Sequence, residues 1–403
     1  MNKDKVEEAL DRWTEKIYPS KKEFIKALKS GKRLSFYLGI DPTGPDMHLG
    51  HSTNYLLMQE LQKTGHKIIL LVGDFTARIG DPSERDQARR PLTEKEIRAN
   101  MKTYKEQAGK ILDFNDPKNP VELKFNSTWL SKLTLKDTIK LMAHTTFQQL
   151  IKREMFQKRL KEGRELHMHE IIYPLLQGYD SVAMEVDAEI GGTDQTFNML
   201  VGRDLVKAYL KKEKFVLTTP LLVNPRTGKK LMSKSEGTYI ALNDPPNDMY
   251  GKVMALPDET IIPCFELCTK ISLQLIKQFE KSIEEKKLNL MDLKKKLAWE
   301  IVKMYHGEKA ADKAQEEFER IFQKREIPED VKELRIKNDE LRIIDLLIET
   351  KLVKSRSEAK RLIGQGAVEI DQSTIRNQQS AIEIKDGMII KVGKKRFVKV
   401  KSV

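Results

Sequence analysis

Two cysteines, Cys264 and Cys268, are all that the 403 residues contain. That is too few for a disulfide framework, and no second pair accompanies them to complete a zinc site. They read as buried or incidental thiols of a reducing compartment. Long hydrophobic runs are missing too. The longest aliphatic stretch, Ile68 to Val72, is far too short to cross a bilayer. The first residues, Met1-Asn2-Lys3-Asp4-Lys5, carry no apolar signal region. These absences predict a soluble, cytoplasmic protein. Internal repeats and low-complexity tracts are also lacking, so nothing points to a repeat architecture.

What the chain does have is length, charge and a mixed pattern of elements. At 403 residues two or three domains are expected. Apolar residues make up 39% and charged residues 33%, enough for a core under a well-solvated surface. The formal net charge of +13 suits a polyanionic partner, although excess lysine also serves solubility. Leu34 to Ile40 is apolar and aromatic like a buried strand, and Asp41-Pro42-Thr43-Gly44-Pro45-Asp46 is a dense turn. His48 to Lys63 has helical spacing closed by Gly65, and Lys67 to Val72 is a second apolar strand. Strand, helix and strand with short connections predict a parallel, doubly wound sheet of Rossmann type. Leu133 to Leu160 and Ile171 to Ser181 read as helices, and Ala188-Glu189-Ile190-Gly191-Gly192 as a short strand. Residues 1–240 form the expected catalytic domain, 241–325 a helical domain, 326–340 a charged linker and 341–403 a small α+β unit. In that last unit Ser355-Arg356-Ser357-Glu358 opens a helix with a capping pattern.

Two motifs carry chemistry. His48-Leu49-Gly50-His51 follows the first strand and its turn, and positions three apart at a helix start share one face. Gly50 leaves room for a ligand near the backbone, and a helix N-terminus suits phosphate. Two histidines also suit a metal, but a third with suitable spacing is missing nearby. About 180 residues on, Lys229-Lys230-Leu231-Met232-Ser233-Lys234-Ser235 places lysines beside small hydroxyl residues. Such a loop can wrap a triphosphate and neutralise charge as pyrophosphate leaves, or it can be a solvated basic turn. A third pattern is Tyr173, Gln177 and Asp180, four and three apart on one helix face. Polar groups on a core-facing side call for a polar ligand or an internal network.

With these motifs the chain resembles the class I aminoacyl-tRNA synthetases, whose signatures are His-x-Gly-His and Lys-Met-Ser-Lys-Ser. Leu231 departs from the second signature, so Lys230 is the candidate for its first lysine while Met232-Ser233-Lys234-Ser235 is intact. Within the class, Tyr37-Leu38-Gly39-Ile40-Asp41-Pro42-Thr43, Gly80-Asp81-Pro82-Ser83, the helix from Tyr173 to Asp180 and Gly191-Gly192-Thr193-Asp194-Gln195 resemble the tyrosyl-tRNA synthetases. The resemblance implies activation of tyrosine by ATP with Mg2+, transfer to tRNA(Tyr), a homodimer, and no tightly bound metal. It implies that Asp81, Tyr173 and Gln177 hold the substrate ammonium, that Tyr37 and Asp180 receive its phenolic hydroxyl, and that Thr76, Asn126 and Gln195 share the pocket. It assigns Gly39, Asp41, His48, Gly50, His51, Gly192, Asp194, Met232, Ser233 and Lys234 to ATP, and Thr43, His48, His51, Lys230 and Lys234 to catalysis.

From Leu341 onward there are 14 Lys and Arg against 7 Asp and Glu, a net charge of +7. This tail resembles the small RNA-binding module named after ribosomal protein S4. Lys351, Lys354, Arg356, Lys360 and Arg361 are its expected RNA-binding residues, with a solvated basic helix as the plainer alternative. A tryptophanyl-tRNA synthetase would share both signatures but should lack the Tyr37 and Asp180 pairing. A decayed, non-catalytic RNA-binding relative should have lost the histidine and lysine motifs.

Overall fold

The computed structural model describes residues 3–83, 91–232, 237–322, 331, 333–371, 373–393 and 396–402. It forms two compact units, Met1–Ala311 and Asp312–Val403. In the first, six strands make one sheet: β1 (Lys16–Tyr18), β2 (Ser35–Ile40), β3 (Lys67–Val72), β4 (Glu122–Phe125), β5 (Ala188–Gly192) and β6 (Phe215–Thr219). Their order is β1-β6-β5-β2-β3-β4, parallel except for the antiparallel edge strand β1. β2 and β3 pair in register from Ser35↔Lys67 to Ile40↔Val72. Both read as near-continuous apolar runs because helices cover both faces of such a sheet. The mixed α/β fold with a parallel sheet matches the expectation from sequence.

The stretch Leu133 to Leu160 is three short helices rather than one: Leu135–Met142, Phe147–Ile151 and Glu154–Lys161. Thr134 and Thr146 each accept the N–H three residues on, from Asp137 and Gln149, and those side chains bond back. Each threonine therefore starts a new helix where apolar spacing alone suggests continuation. Beyond Pro245 the unit is helical, with Pro246–Met254, Ile261–Cys268, Leu273–Glu284 and Leu290–His306. Cys264 and Cys268 are free thiols, one turn apart and fully buried.

The second unit has the strands β7 (Glu333–Ile336), β8 (Glu340–Arg342), β9 (Val368–Ile370), β10 (Ser373–Thr374), β11 (Ala381–Glu383), β12 (Ile389–Val392) and β13 (Arg396–Ser402). Five form the sheet β10-β9-β12-β13-β7, and β11 pairs with β8. The helices Ile343–Glu349 and Arg356–Gly364 supply Leu346, Leu347, Leu362 and Ile363 to a core shared with Ile390, Val392 and Val400. β7 lies inside the charged 326–340 stretch: it alternates Glu333 and Arg335 with Leu334 and Ile336, and Ile336 is buried. That alternation is the strand signal that net charge obscures.

Candidate active site

Open parallel sheets bind ligands beyond the carboxyl ends of their strands, where the strand order reverses. Here that point falls between β2 and β5, and a cavity of about 820 Å³ occupies it. Gly39 to Asp41 from β2, Gly73 after β3, Asn126 after β4 and Ile190 to Gly192 from β5 all reach it. One long helix, Met168–Ala183, adds Tyr173, Gln177 and Asp180 from a single face, as their spacing requires.

The polar groups of the cavity wall are tied to one another. Asp180 is 3% exposed and accepts the Trp129 indole N–H at 2.7 Å and the Asn126 amide at 3.2 Å. Burial pushes its carboxyl well above the usual carboxylate range, against those two hydrogen bonds. Asn126 also donates to the Thr76 hydroxyl at 3.0 Å, Thr76 donates to Asp41 at 2.7 Å, and the Tyr173 hydroxyl donates to Asp41 at 2.9 Å. On the other side Gln195 donates to Asp81 at 2.6 Å, Asn198 donates to Gln195 at 3.2 Å and to Gln177 at 2.9 Å, and Gln177 donates to Glu189 at 3.1 Å. A wall built this way presents fixed acceptors, suited to an ammonium and a hydroxyl.

The two sequence motifs meet at the cavity. The Leu49–His51 turn leads into the Ser52–Lys63 helix, and its His48 and His51 rings lie 4.1 Å apart. Leu49 donates its N–H to the Ile240 carbonyl and Leu242 to that of Met47, which joins the histidine motif to the chain beyond the lysine motif. A Cβ at Gly50 would come within 3.0 Å of the His48 ring and 3.5 Å of Met232. Glycine here therefore protects the ring's position as well as space for a ligand. The preceding turn is pinned by the Gln107 side chain, which donates to the Pro45 carbonyl and accepts from Met47, and by Tyr104, which donates to Gly44. Lys230 donates to Asp194 at 3.1 Å at the cavity's edge.

Thr43, Asp81, Gly192, Asp194, Gln195, Lys230 and Met232 line the same cavity as the wall residues above. Ser233 and Lys234 lie outside the described residues. Tyr37 is placed differently. It is fully buried behind the wall, and its hydroxyl bonds Ser181 Oγ at 2.8 Å. Burial, reinforced by Glu189 and Asp180, pushes its phenol well above 10.0. Sequence reasoning left Trp129, Ser181, Glu189, Asn198 and Lys214 without a role. Their signal is a polar residue in an apolar setting, but their partners lie on other elements and no local spacing connects them. The five basic candidates of the second unit cluster around the start of the Arg356–Gly364 helix, whose N-cap Ser355 accepts the Glu358 N–H through its hydroxyl. All five are exposed, and Arg356 bonds Asp345 at 2.5 Å.

Comparison with known proteins places the architecture. The family of class I tRNA synthetases for Trp and Tyr matches residues 29–323, and the C-terminal domain of tyrosine–tRNA ligases matches residues 323–400. The tyrosine–tRNA ligase of Thermotoga maritima is 45% identical over 381 residues, 94% of each chain. That of Moorella thermoacetica is 42% identical over 93% of this chain and 90% of its own. Among solved structures, a C-terminally truncated mitochondrial tyrosyl-tRNA synthetase of Aspergillus nidulans has a TM-score of 0.65 at 22% identity, covering 79% of this chain and 94% of its own. The Archaeoglobus fulgidus tyrosyl-tRNA synthetase, complexed with L-tyrosine, has a TM-score of 0.59 at 20% identity over 78% of this chain and all of its own. At these identities the structural likeness concerns the fold.

Proposed function

The chain belongs to the class I tyrosyl-tRNA synthetases, and on that premise we propose how its residues divide the work. The enzyme activates L-tyrosine with ATP to tyrosyl-adenylate and pyrophosphate, then transfers tyrosine to the 3′ end of tRNA(Tyr). The tyrosine carboxylate attacks the α-phosphorus, so no side chain is needed as a covalent nucleophile. Catalysis rests on positioning and on charge stabilisation by Thr43, His48, His51, Lys230 and Lys234. Mg2+ arrives with the phosphates of ATP, where it offsets their charge. Gly39, Asp41, Gly50, Gly192, Asp194, Met232 and Ser233 form the ATP side.

One observation carries the tyrosine assignment: Asp180 sits deep in the wall with both oxygens oriented by Trp129 and Asn126. It receives the phenolic hydroxyl, and Tyr37 takes part by turning its own hydroxyl from Ser181. Asp81, Tyr173 and Gln177 hold the ammonium, with Gln195 bracing Asp81, Asn126 bracing Asp180 and Thr76 bracing Asp41. Buried polar groups left unpaired are costly, which is how such a pocket rejects phenylalanine. The test is tyrosine-dependent exchange of labelled pyrophosphate into ATP. Asp180→Ala should lose most of it and narrow the tyrosine/phenylalanine ratio, whereas Asp81→Ala should hurt both amino acids alike. An unchanged ratio in Asp180→Ala would place the hydroxyl elsewhere.

The remaining roles follow the same division. Residues 241–325 contact the anticodon arm, and the S4-like unit, whose sheet includes β7 of the 326–340 stretch, binds tRNA through Lys351, Lys354, Arg356, Lys360 and Arg361. A homodimer is supported by Leu135, Ile139 and Met142, which recur on one helix face and stand 77%, 58% and 40% exposed. Among the described residues no helix is long and apolar enough to cross a membrane. We place the enzyme in the cytoplasm, where its tRNA is charged.

A further inference from the structure

Behind the cavity wall lies a charge that the reaction does not use. Lys214, just before β6, is 0% exposed, and its ammonium donates to the Glu189 carboxylate and, at 2.7 Å, to Ser181 Oγ. Glu189 is 2% exposed and lines the cavity. It is the register partner of Tyr37 across β2 and β5, so both side chains lie on one face of the sheet. Ser181 holds the Tyr37 hydroxyl at 2.8 Å, and Glu189 holds the Gln177 amide at 3.1 Å. The ammonium also lies 5.8 Å from the Tyr37 ring centroid. Space for it comes from Gly202, where the Thr196–Leu210 helix crosses Met168–Ala183. A Cβ on Gly202 would stand 2.6 Å from Lys214 Nζ and 3.2 Å from the Cα of Gly178.

A buried lysine is disfavoured by desolvation, and two neighbouring helices must leave a notch to admit it. A wholly apolar packing would do as well for stability alone. We propose that Lys214 is a positioning residue of the tyrosine pocket. From beneath the wall it anchors Glu189 and Ser181, and through them it sets Gln177 at the ammonium end and the Tyr37 phenol at the hydroxyl end. The inference rests on the reading of this cavity as the tyrosine site.

The test compares Lys214→Met with the double variant Lys214→Met/Glu189→Gln, with pyrophosphate exchange and thermal unfolding read on the full-length enzyme. Lys214→Met should raise the KM for tyrosine about tenfold, the size of one lost orienting hydrogen bond, with kcat and the KM for ATP changed less than about twofold. The double variant removes both charges and should regain thermal stability while its tyrosine KM stays raised. Should Lys214→Met not fold, the double variant is read against Glu189→Gln alone: a tyrosine KM above that of the single variant supports the proposal and an equal one overturns it. A wild-type tyrosine KM in a folded double variant overturns the proposal, because the lysine would then serve only to neutralise Glu189. Asp81→Ala, measured beside them, separates the two readings. If it raises the tyrosine KM and the double variant does not, the role of Lys214 fails alone; if neither does, the tyrosine site itself is misplaced.

Discussion

Asp180 and Arg356 are both ionisable side chains assigned to substrate, yet they are held in opposite ways. Asp180 is almost wholly enclosed, and its carboxylate oxygens accept from Trp129 and Asn126. The Arg356 side chain is 69% exposed and faces solvent at a helix start, with Asp345 beside it. In the cavity wall Asp180, Asn126, Thr76, Asp41 and Tyr173 form one network, so removing one strands its neighbours. On the basic helix the groups are spaced along a surface and screened by salt. On the reading proposed above, the first arrangement discriminates between amino acids that differ by one hydroxyl, and the second adds affinity for a suitably shaped polyanion. Their responses to substitution should differ accordingly, steep in the cavity and graded on the helix.

The steepest response is expected in the lysine loop. Lys234→Ala should slow adenylate formation about a hundredfold, roughly 3 kcal/mol, with little change in tyrosine affinity, because its charge is needed as pyrophosphate departs. Lys230→Ala should cost less. Its ammonium is already engaged with Asp194, and Leu231 displaces it from the usual position of the signature. Single-turnover activation measured beside tyrosine binding separates the two effects. Equal losses in both variants would mean that Lys230 has taken the full role of the first lysine.

How far the sequence revealed all this differs between the regions as well. β2, β3 and β5 are legible within a residue, the first two as near-continuous apolar runs of buried parallel strands and β5 as a short strand closed by a glycine pair. The spacing of Tyr173, Gln177 and Asp180 by itself puts all three on one helix face, and Met168–Ala183 carries them so. What stayed hidden depends on partners distant in sequence. Lys214 lies 25 residues from Glu189 and 33 from Ser181, and nothing local marks it as buried rather than as one more solvated lysine. Arg12 is similar: it donates to four carbonyls between Phe265 and Ile271, more than 250 residues away. In the second unit the charge of the 326–340 stretch suggested a linker, whereas the alternation within Glu333–Ile336 makes a strand. Net charge reports exposure, and exposure is compatible with an edge strand as well as with a linker.

A broader cut sharpens the comparison between regions. Because β7 pairs with β13, a truncation that spares the first unit should end at Phe322, ahead of the second unit's sheet. The shortened enzyme should form tyrosyl-adenylate at the full-length rate and charge tRNA at least about tenfold less efficiently at low salt, since several phosphate contacts go together. The difference should shrink as salt is added. Equal tRNA affinity for the two forms at low salt would count against an RNA role for the whole unit.

The smallest effects belong to single basic side chains, and they distinguish a phosphate-binding face from a merely solvated one. Each lysine or arginine that neutralises a phosphate should contribute about 0.7 to 0.9 to the slope of log affinity against log salt. Lys360→Ala should therefore weaken tRNA binding a few-fold at low salt, flatten the slope by about that amount and leave tyrosine activation untouched. Arg356→Ala should do more, although it is also one charge. Removing it leaves Asp345 without its ion pair next to the approaching phosphates, so a lost attraction is joined by a repulsion. Asp345→Asn in the same background should restore part of the loss. Filter binding of tRNA across a salt series measures all three. If Lys360→Ala and Arg356→Ala give wild-type slopes, the helix is a solvated surface and the unit's charge acts elsewhere.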